Sequence, residues 1–347
     1  MQTAKFELDG HSLITPAAIS AALANNSKTS PDIPTLPIVQ AEVRATLDEL
    51  AASLAGGTLV AETFDRLIAF LHELRGSTGG AVWAELVPFI QTHHISHLLQ
   101  QDPATKWSWD KPRGYSGDAH LLDLLYQHPC VSSEVAAASD LGRQLYECTV
   151  RAPACFANAD RRNILARYAD MTAARIGGGA EILSIAAGHV REVDYSDAAK
   201  NGHIKRWVAL DQDPESIATV AADYGNTCVE TVNGSVRDIL MNRIDPGLYD
   251  HVYSSGLYDY LNEKVAVALT RKALNFVRPG GTFLFANYSR AVTDDGYMET
   301  FMNWALLLRS EEDMLEIIRQ STDGLDVESE VFFGENRNVV FGVIRKR

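Results

Sequence analysis

The feature that most constrains this chain is a change of rhythm at Gly177-Gly178-Gly179. Beyond it, short apolar runs alternate with stretches of helical period. Glu181 to Ala186 reads as a buried strand, Arg191 to Asn201 as a helix and Arg206 to Leu210 as the next strand. The series continues with a helix over Pro214 to Tyr224 and strands over Cys228 to Asn233 and Tyr249 to Ser254. A helix over Glu263 to Val277 and a strand over Thr282 to Asn287 follow. Such alternation predicts an α/β fold with a parallel, doubly wound sheet. The last two strands, Val327 to Phe333 and Asn338 to Arg345, are joined too briefly for a crossover, so an antiparallel hairpin is expected there.

The first half has a helical period instead. Ile38 to Leu54 places Val39, Val43, Leu47 and Leu50 on one face, and Thr58 to Leu74 does the same with Phe64, Leu67, Ile68 and Leu71. Gly76, Gly79 and Gly80 are expected to break the chain, with a new helix over Ala81 to Gln100. Two more helices are expected over Asp118 to Tyr126 and Glu134 to Thr149, and a meander up to Pro37. The predicted organisation is a helical N-terminal cap over residues 1–160 and an α/β domain over residues 161–347.

Composition removes several function classes. With 46% hydrophobic and 22% charged residues the chain is globular, not disordered. Asp and Glu total 45 against 31 Lys and Arg, a net charge of -14, and no basic run offsets it, so a nucleic-acid partner is not expected. No apolar stretch nears the roughly 18 residues of a membrane span. Met1 to Gly10 lacks the basic start and apolar run of a signal peptide. Cys130, Cys148, Cys155 and Cys228 form no C-x-x-C pair and read as reduced thiols. The expectation is a cytoplasmic protein acting on small molecules, without a membrane partner and with homodimerisation left open.

Five segments of the second half carry chemistry. Glu181-Ile-Leu-Ser-Ile-Ala-Ala-Gly-His-Val-Arg-Glu192 is a strand, a small-residue turn that lets a ligand approach the backbone, and a helix start. Ala209-Leu210-Asp211 ends the next strand on an acid able to accept hydrogen bonds from both hydroxyls of an adenosine ribose. Val232-Asn-Gly-Ser-Val-Arg-Asp238 would lie beside the adenine, with Asp238 accepting from its exocyclic amine, although Asn-Gly is foremost a turn signal. Asp250-His-Val-Tyr-Ser-Ser-Gly-Leu-Tyr-Asp-Tyr260 brings Ser254 to Tyr260 to the carboxyl edge of the sheet, where open α/β folds bind ligands. Val277-Arg-Pro-Gly-Gly-Thr-Phe-Leu-Phe-Ala-Asn-Tyr288 is a turn into a strand ending at Asn287 and Tyr288.

Together these segments resemble the class I S-adenosylmethionine-dependent methyltransferases over about Asn163 to Arg347. The resemblance implies a Rossmann-like sheet of seven strands, with the final hairpin inserting strand seven antiparallel. It implies S-adenosylmethionine as cofactor, with Ala186 and Gly188 at its methionine end, Asp211 and Gln212 at the ribose, Ser235 and Asp238 by the adenine, and Ser254 and Ser255 nearby. Three positions depart from the pattern. Ser184 stands where the first-strand acid is usual, and Ala186 and Val190 replace expected glycines. His189 and Glu192 are nearby replacements for the lost acid or ordinary surface residues. The G-x-G-x-x-G of dinucleotide enzymes is absent, which argues against a dehydrogenase.

The helical half contains Trp107-Ser-Trp-Asp-Lys-Pro-Arg-Gly-Tyr-Ser-Gly-Asp-Ala119, which reads as a rigid loop. Asp118 suits a helix N-cap. Aromatic residues beside an acid also suit a sulfonium and an ammonium. The Lys-Pro-Arg-Gly-Tyr-x-Gly-Asp string is similar to one in a bacterial subgroup with a helical N-terminal extension. That subgroup is associated with 3-hydroxy fatty acid methyl esters and with cyclisation of S-adenosylmethionine to azetidine-2-carboxylate. The similarity implies that Tyr115 and Asp118 hold the amino-acid end of the cofactor. Tyr115, Asp259 and Tyr288 are the catalytic candidates.

Smaller signals weigh less. His93, His94 and His97 lack the acid of an H-E-x-x-H pattern, so a polar helix face is the simpler reading and no metal is expected. No G-x-S-x-G elbow appears. Tyr297, Met298, Phe301, Met302 and Trp304 fit either a packed contact or a lid over an acceptor. Three activities remain: methyl transfer to a small acceptor, cyclisation of S-adenosylmethionine with release of methylthioadenosine, and sensing of the cofactor without turnover.

Overall fold

The computed structural model describes residues 36–57 and 59–347. The predicted N-terminal meander lies outside them, apart from its last two residues. The described residues divide into two compact units, one of residues 36–156 and 292–306 and one of residues 157–291 and 307–347.

The first unit is helical. Its helices are α1 (Leu36–Ala55), α2 (Val60–Gln91), α3 (Ile95–Leu99), α4 (Pro103–Asp110), α5 (Ala119–Leu125), α6 (Ser132–Ala137) and α7 (Asp140–Thr149). It also holds the first residues of α8 (Pro153–Ile176). Helix α1 buries Val39, Val43, Leu47, Leu50 and Leu54, a spacing of three and four that keeps one stripe against the core. The expected glycine break falls at Gly79, where two helices meet across a kink within α2. Only Gly79 leaves helical dihedrals, at φ 72°, and α2 runs on to Gln91. Phe64 and Leu71 are buried before the kink, and Trp83, Leu86 and Ile90 after it. The single helix expected over Glu134 to Thr149 is two, because Ser139 caps α7 by accepting from the Gly142 N–H at 3.0 Å. The expected loop at Trp107 begins later, since Asp102 caps α4 and the helix runs to Asp110.

The second unit is built on one seven-stranded sheet in the order β3-β2-β1-β4-β5-β7-β6. The strands are β1 (Ala180–Ile185), β2 (Ile204–Asp211), β3 (Val229–Asn233), β4 (Tyr249–Ser254), β5 (Val277–Tyr288), β6 (Val327–Phe333) and β7 (Val339–Lys346). Strands β1 to β5 pair in parallel, and β7 enters antiparallel between β5 and β6. This is the predicted Rossmann-like sheet with its terminal hairpin. β1 and β4 are buried along their whole length, as central strands of a covered sheet must be. Edge strand β6 instead carries Glu328 and Glu330 outward, which discourages further strand addition.

Two expectations are corrected here. The helix expected over Arg191 to Asn201 is a 3-10 turn, Arg191–Tyr195, followed by the single-turn helix α9 (Asp197–Lys200). Ser196 caps α9 by accepting from Ala199 N–H and so restarts the chain. The strand expected from Thr282 begins at Val277. Val277 pairs with Tyr249 and Thr282 with His251, so the Pro279-Gly280-Gly281 turn is a bulge within β5. The remaining helices are α10 (Pro214–Tyr224), α11 (Val236–Leu240), α12 (Glu263–Leu274), α13 (Asp295–Thr300) and α14 (Glu311–Ser321).

Residues 292–306, with α13, return to the helical unit after β5. There Tyr297 meets Phe64 edge to face at 5.1 Å, and Tyr297, Met298, Phe301, Met302 and Trp304 are all buried. A Cβ added at Gly296 would stand 2.6 Å from the backbone C and O of Leu71. Gly296→Ala should therefore cost about 1–3 kcal/mol and lower the melting temperature by several degrees. An unchanged thermal unfolding curve would contradict this packing.

Candidate active site

The carboxyl edge of the sheet gathers the loops after β1 to β5, and one acid ties three of them. Asp211, the last residue of β2, accepts from the Gly188 N–H at 2.8 Å and the Asp213 N–H at 2.9 Å. Its backbone carbonyl accepts from Gly234 N–H at 2.9 Å and Asn233 Nδ2 at 3.1 Å. Burial raises its carboxyl pKa, opposed by those two N–H donors. Gln212 is half-buried next to it, and its carbonyl accepts from Asn233 Nδ2 at 3.2 Å.

The turn after β1 is strained. Ala186, Gly188 and Val190 have φ of 56°, 55° and 49°. The two positions where glycine is expected thus adopt the left-handed conformation with side chains attached, Val190 with a β-branched one. Strain of this kind persists only where the surroundings enforce it, and it clusters at ligand sites. The enforcement is visible: Ala187 N–H donates to Leu210 O at 3.1 Å, Gly188 N–H to Asp211, and Val190 N–H to Ala187 O at 3.1 Å.

The acid missing at position 184 has a neighbour that sequence spacing did not assign. Ser184 and Tyr253 are paired across β1 and β4 and hydrogen-bonded through their side chains. Tyr253 donates its hydroxyl proton to Glu192 and accepts from Trp207 Nε1 at 3.0 Å. Glu192 is buried, which raises its pKa against the pull of Tyr253, Arg161 and Arg162.

A second knot joins the loops after β4 and β5. Asp259 Oδ1 accepts from Tyr288 N–H at 2.6 Å, and Asp259 O accepts from Leu307 N–H at 2.9 Å. The buried Arg309 donates to Tyr258 O, Leu261 O and Asn287 Oδ1. Burial pushes the Asp259 pKa up to about 6 despite the Tyr288 N–H and the charges of Arg161 and Arg309. Tyr288 is 1% exposed.

Two residues of this unit stand out by what they lack. Ser254 Oγ and both side-chain atoms of Asn158 are buried and have no hydrogen-bond partner, and each residue is 0% exposed. Asn158 lies on α8 three residues before Arg161, hence on the same helix face, and Arg161 donates to Ser255 O at 2.8 Å. Sequence reasoning missed Asn158, since a lone Asn carries no motif; only its burial without a partner marks it.

Other predicted residues are engaged locally. Ser235 and Asp238 form the capping box of α11: Asp238 Oδ2 accepts from Ser235 N–H at 3.1 Å and Oγ at 2.5 Å, and Ser235 Oγ accepts from Asp238 N–H at 3.1 Å. Those hydrogen bonds from Ser235 lower the Asp238 pKa. In the helical unit, Asp118 caps α5, accepting from Leu121 N–H at 2.8 Å. Trp107 Nε1 donates to both its oxygens at 2.9 and 3.0 Å. Tyr115 is half-buried in the loop before it.

The charge distribution along the sheet is polarised. At its opposite edge, burial would raise Glu181, but Lys205 and Arg278 bring it down to about 2. At the carboxyl edge Asp211, Glu192 and Asp259 are all raised. Raised carboxyls gathered in one region mark a candidate site.

No protein-family model matches the chain, and no curated protein is significantly similar to it. Among solved structures it is similar to one described as a possible exported protein from Bordetella parapertussis. Identity is 17%, with 86% of this chain and 96% of that chain covered and a TM-score of 0.57. It is similar over 65% of its length to the N-methyltransferase NodS from Bradyrhizobium japonicum, solved with S-adenosyl-L-homocysteine. There the identity is 17%, with 99% of that chain covered and a TM-score of 0.40. It is also similar over 52% of its length to a TehB-like SAM-dependent methyltransferase from Corynebacterium glutamicum, at 20% identity, with 86% of that chain covered and a TM-score of 0.38. The first of these likenesses shows the fold. Among the described residues no helix is long and apolar enough to cross a membrane.

Asp259 gives a test with a definite sign. Its folded pKa, about 6, lies above the ordinary 3.8. Its contribution to stability is therefore fully present below about pH 4 and lost as the pH rises through about 6. Asp259→Asn keeps an acceptor for Tyr288 but cannot ionise. Between pH 4 and pH 7 the variant should gain on the order of 2–3 kcal/mol relative to the native protein, measured by chemical denaturation at each pH. A difference independent of pH would contradict the buried state of this acid.

Proposed function

We propose that this protein is an S-adenosylmethionine-dependent enzyme and that it transfers the methyl group to a small-molecule acceptor. The observation that carries the reading is two fully buried, unpartnered side chains, Ser254 at the end of β4 and Asn158 on α8. Buried polar groups are almost always hydrogen-bonded, and a ligand with polar groups would supply the partners. The methionine end of the cofactor offers a carboxylate to the Ser254 hydroxyl and the Asn158 amide N–H, and an amine to the Asn158 carbonyl. Asp211 supports the same pose, since its carboxylate ends β2, where the ribose of an adenosine binds in open α/β sheets.

In this reading the chain's work is alignment. The leaving group is a neutral thioether, so no acid is required, and holding nucleophile, carbon and sulfur in line supplies much of the barrier reduction. Ala186 and Gly188 let the cofactor approach the backbone, Gln212 flanks the ribose, and Ser255 is held by Arg161. Asp259, ionised above about pH 6, is the proton acceptor for an alcohol or amine acceptor near Tyr288.

One observation favours the cyclisation reading as a second. Ser184 replaces the usual acid, and Glu192, linked to it through Tyr253, already accepts from that tyrosine. An amine that meets no free carboxylate is more easily neutral, and a neutral amine is the nucleophile that closes the four-membered ring and releases methylthioadenosine.

Incubating the pure protein with S-adenosylmethionine alone, then with a panel of small acceptors, separates these readings by mass spectrometry of the products. Methyl transfer predicts no turnover until an acceptor is added. Methylthioadenosine and azetidine-2-carboxylate from the cofactor alone would establish cyclisation, and binding without product under every condition would leave a sensor. Asp211→Ala should weaken binding of S-adenosylmethionine about tenfold or more, and Asn158→Ala should do so without altering the loop after β1. Unchanged affinity in both variants would remove the assignment of this edge as the site.

A further inference from the structure

We propose that Asp123, His128 and Cys130 form a binding site for a divalent transition-metal ion of zinc-like chemistry, separate from the site on the sheet. All three side chains belong to the helical unit. Asp123 is on α5, and His128 and Cys130 flank Pro129 at the start of the following 3-10 turn. Cys130 Sγ lies 2.9 Å from His128 Nδ1 and 3.3 Å from Asp123 Oδ2, and the three donor atoms are within 4.8 Å of one another. A tetrahedral zinc ion, with Zn–S near 2.3 Å and Zn–N or Zn–O near 2.0–2.1 Å, spaces its ligands about 3.3–3.6 Å apart. To admit the ion, the Cys130–His128 side needs to open by roughly 0.6–0.7 Å and the Cys130–Asp123 side by roughly 0.2–0.3 Å.

The hydrogen bonds set the tautomer of the histidine. Cys130 N–H donates to His128 Nδ1 at 3.3 Å, a long hydrogen bond that an ion would displace to take that nitrogen's one lone pair. The ring thus carries its proton on Nε2 and offers Nδ1 as a ligand in its neutral form. The backbone is bent to bring the donors together: Gln127 adopts φ 53°, and His128 N–H donates to Asp123 O at 2.9 Å. Asp123 is 1% exposed while Cys130 is exposed, which puts a fixed carboxylate at the base and an open face toward water.

A nucleophilic cysteine fits the same residues less well. In a Cys-His-Asp catalytic arrangement the acid orients the histidine, whereas here Asp123 faces the sulfur. A carboxylate beside a thiolate disfavours the thiolate, and a dication neutralises both. On binding, the Cys130 thiol loses its proton to solvent and an S–metal bond forms, with no change of oxidation state. Soft sulfur, imidazole and carboxylate together select zinc or its neighbours over magnesium or calcium.

The other histidine cluster lacks this fit. His93 Nε2 and His94 Nδ1 lie 3.2 and 3.7 Å from Asp48 Oδ1. His93 Nδ1 accepts from Ile95 N–H at 3.2 Å, so the proton sits on the Nε2 that would have to bind a metal.

The test is titration of the full chain with Co²⁺ and Zn²⁺ alone. One Co²⁺ should bind per chain with the near-ultraviolet charge-transfer absorption of a cobalt thiolate, and Zn²⁺ should displace it. Cys130→Ser should abolish that absorption and weaken Zn²⁺ binding at least about tenfold, and His128→Ala should do the same. Cys148→Ser and His93→Ala should change neither. Circular dichroism of metal-free Cys130→Ser should match the native protein, which confirms that folding is intact. Absence of a thiolate band in the native protein, or a band that survives Cys130→Ser, would overturn the proposal.

Discussion

The carboxyl edge of the sheet depends on the side chain of Asp211. Two backbone donors from different loops converge on its carboxylate, and the β3 loop hangs on its carbonyl. Without that acceptor, the Gly188 N–H would be left at the centre of a turn whose neighbours, Ala186 and Val190, already sit in left-handed backbone. The strain is held because the hydrogen bonds over-determine the loop. A loop held in that way meets a ligand with its backbone already positioned, so little ordering entropy remains to be lost on binding.

The same logic recurs at the other half of the edge with charge added. Asp259 and Arg309 fix the loops after β4 and β5 from inside, through backbone groups rather than through one another's side chains. Each is buried, and each is shifted by that burial toward its neutral form. At the opposite edge Glu181 is surrounded by cations and stays ionised. One edge of the sheet is thus a salt-bridged base, while the other holds buried carboxyls whose pKa values are raised by that burial. That asymmetry is the physical ground for placing the chemistry at the carboxyl edge.

Much of this architecture was legible in the sequence for a simple reason. Buried parallel strands read as short apolar runs, and the runs at Glu181, Arg206, Cys228 and Tyr249 fall where β1 to β4 lie. The antiparallel hairpin followed from connection length alone. Helix α8 escaped because its apolar residues are interleaved with Asn158, Arg161 and Arg162, which are buried too. Such a face shows no polar–apolar contrast. The break near Gly79 was legible because a glycine readily takes the positive φ found there. At the site, Asp211 and the turn at Gly188 were readable because position relative to a strand end defines them. The link from Ser184 through Tyr253 to Glu192 runs between strands and a 3-10 turn, and no linear spacing encodes it.

The central claim is that the carboxyl edge of β1, β2 and β4 holds S-adenosylmethionine. A crystal structure with S-adenosylhomocysteine tests it most directly. The account predicts the ribose hydroxyls on Asp211, the amino-acid end on Ser254 and Asn158, and the turn at Ala186 to Val190 unmoved. A nucleoside bound away from this edge, or Ser254 and Asn158 left without contact to it, would contradict the account.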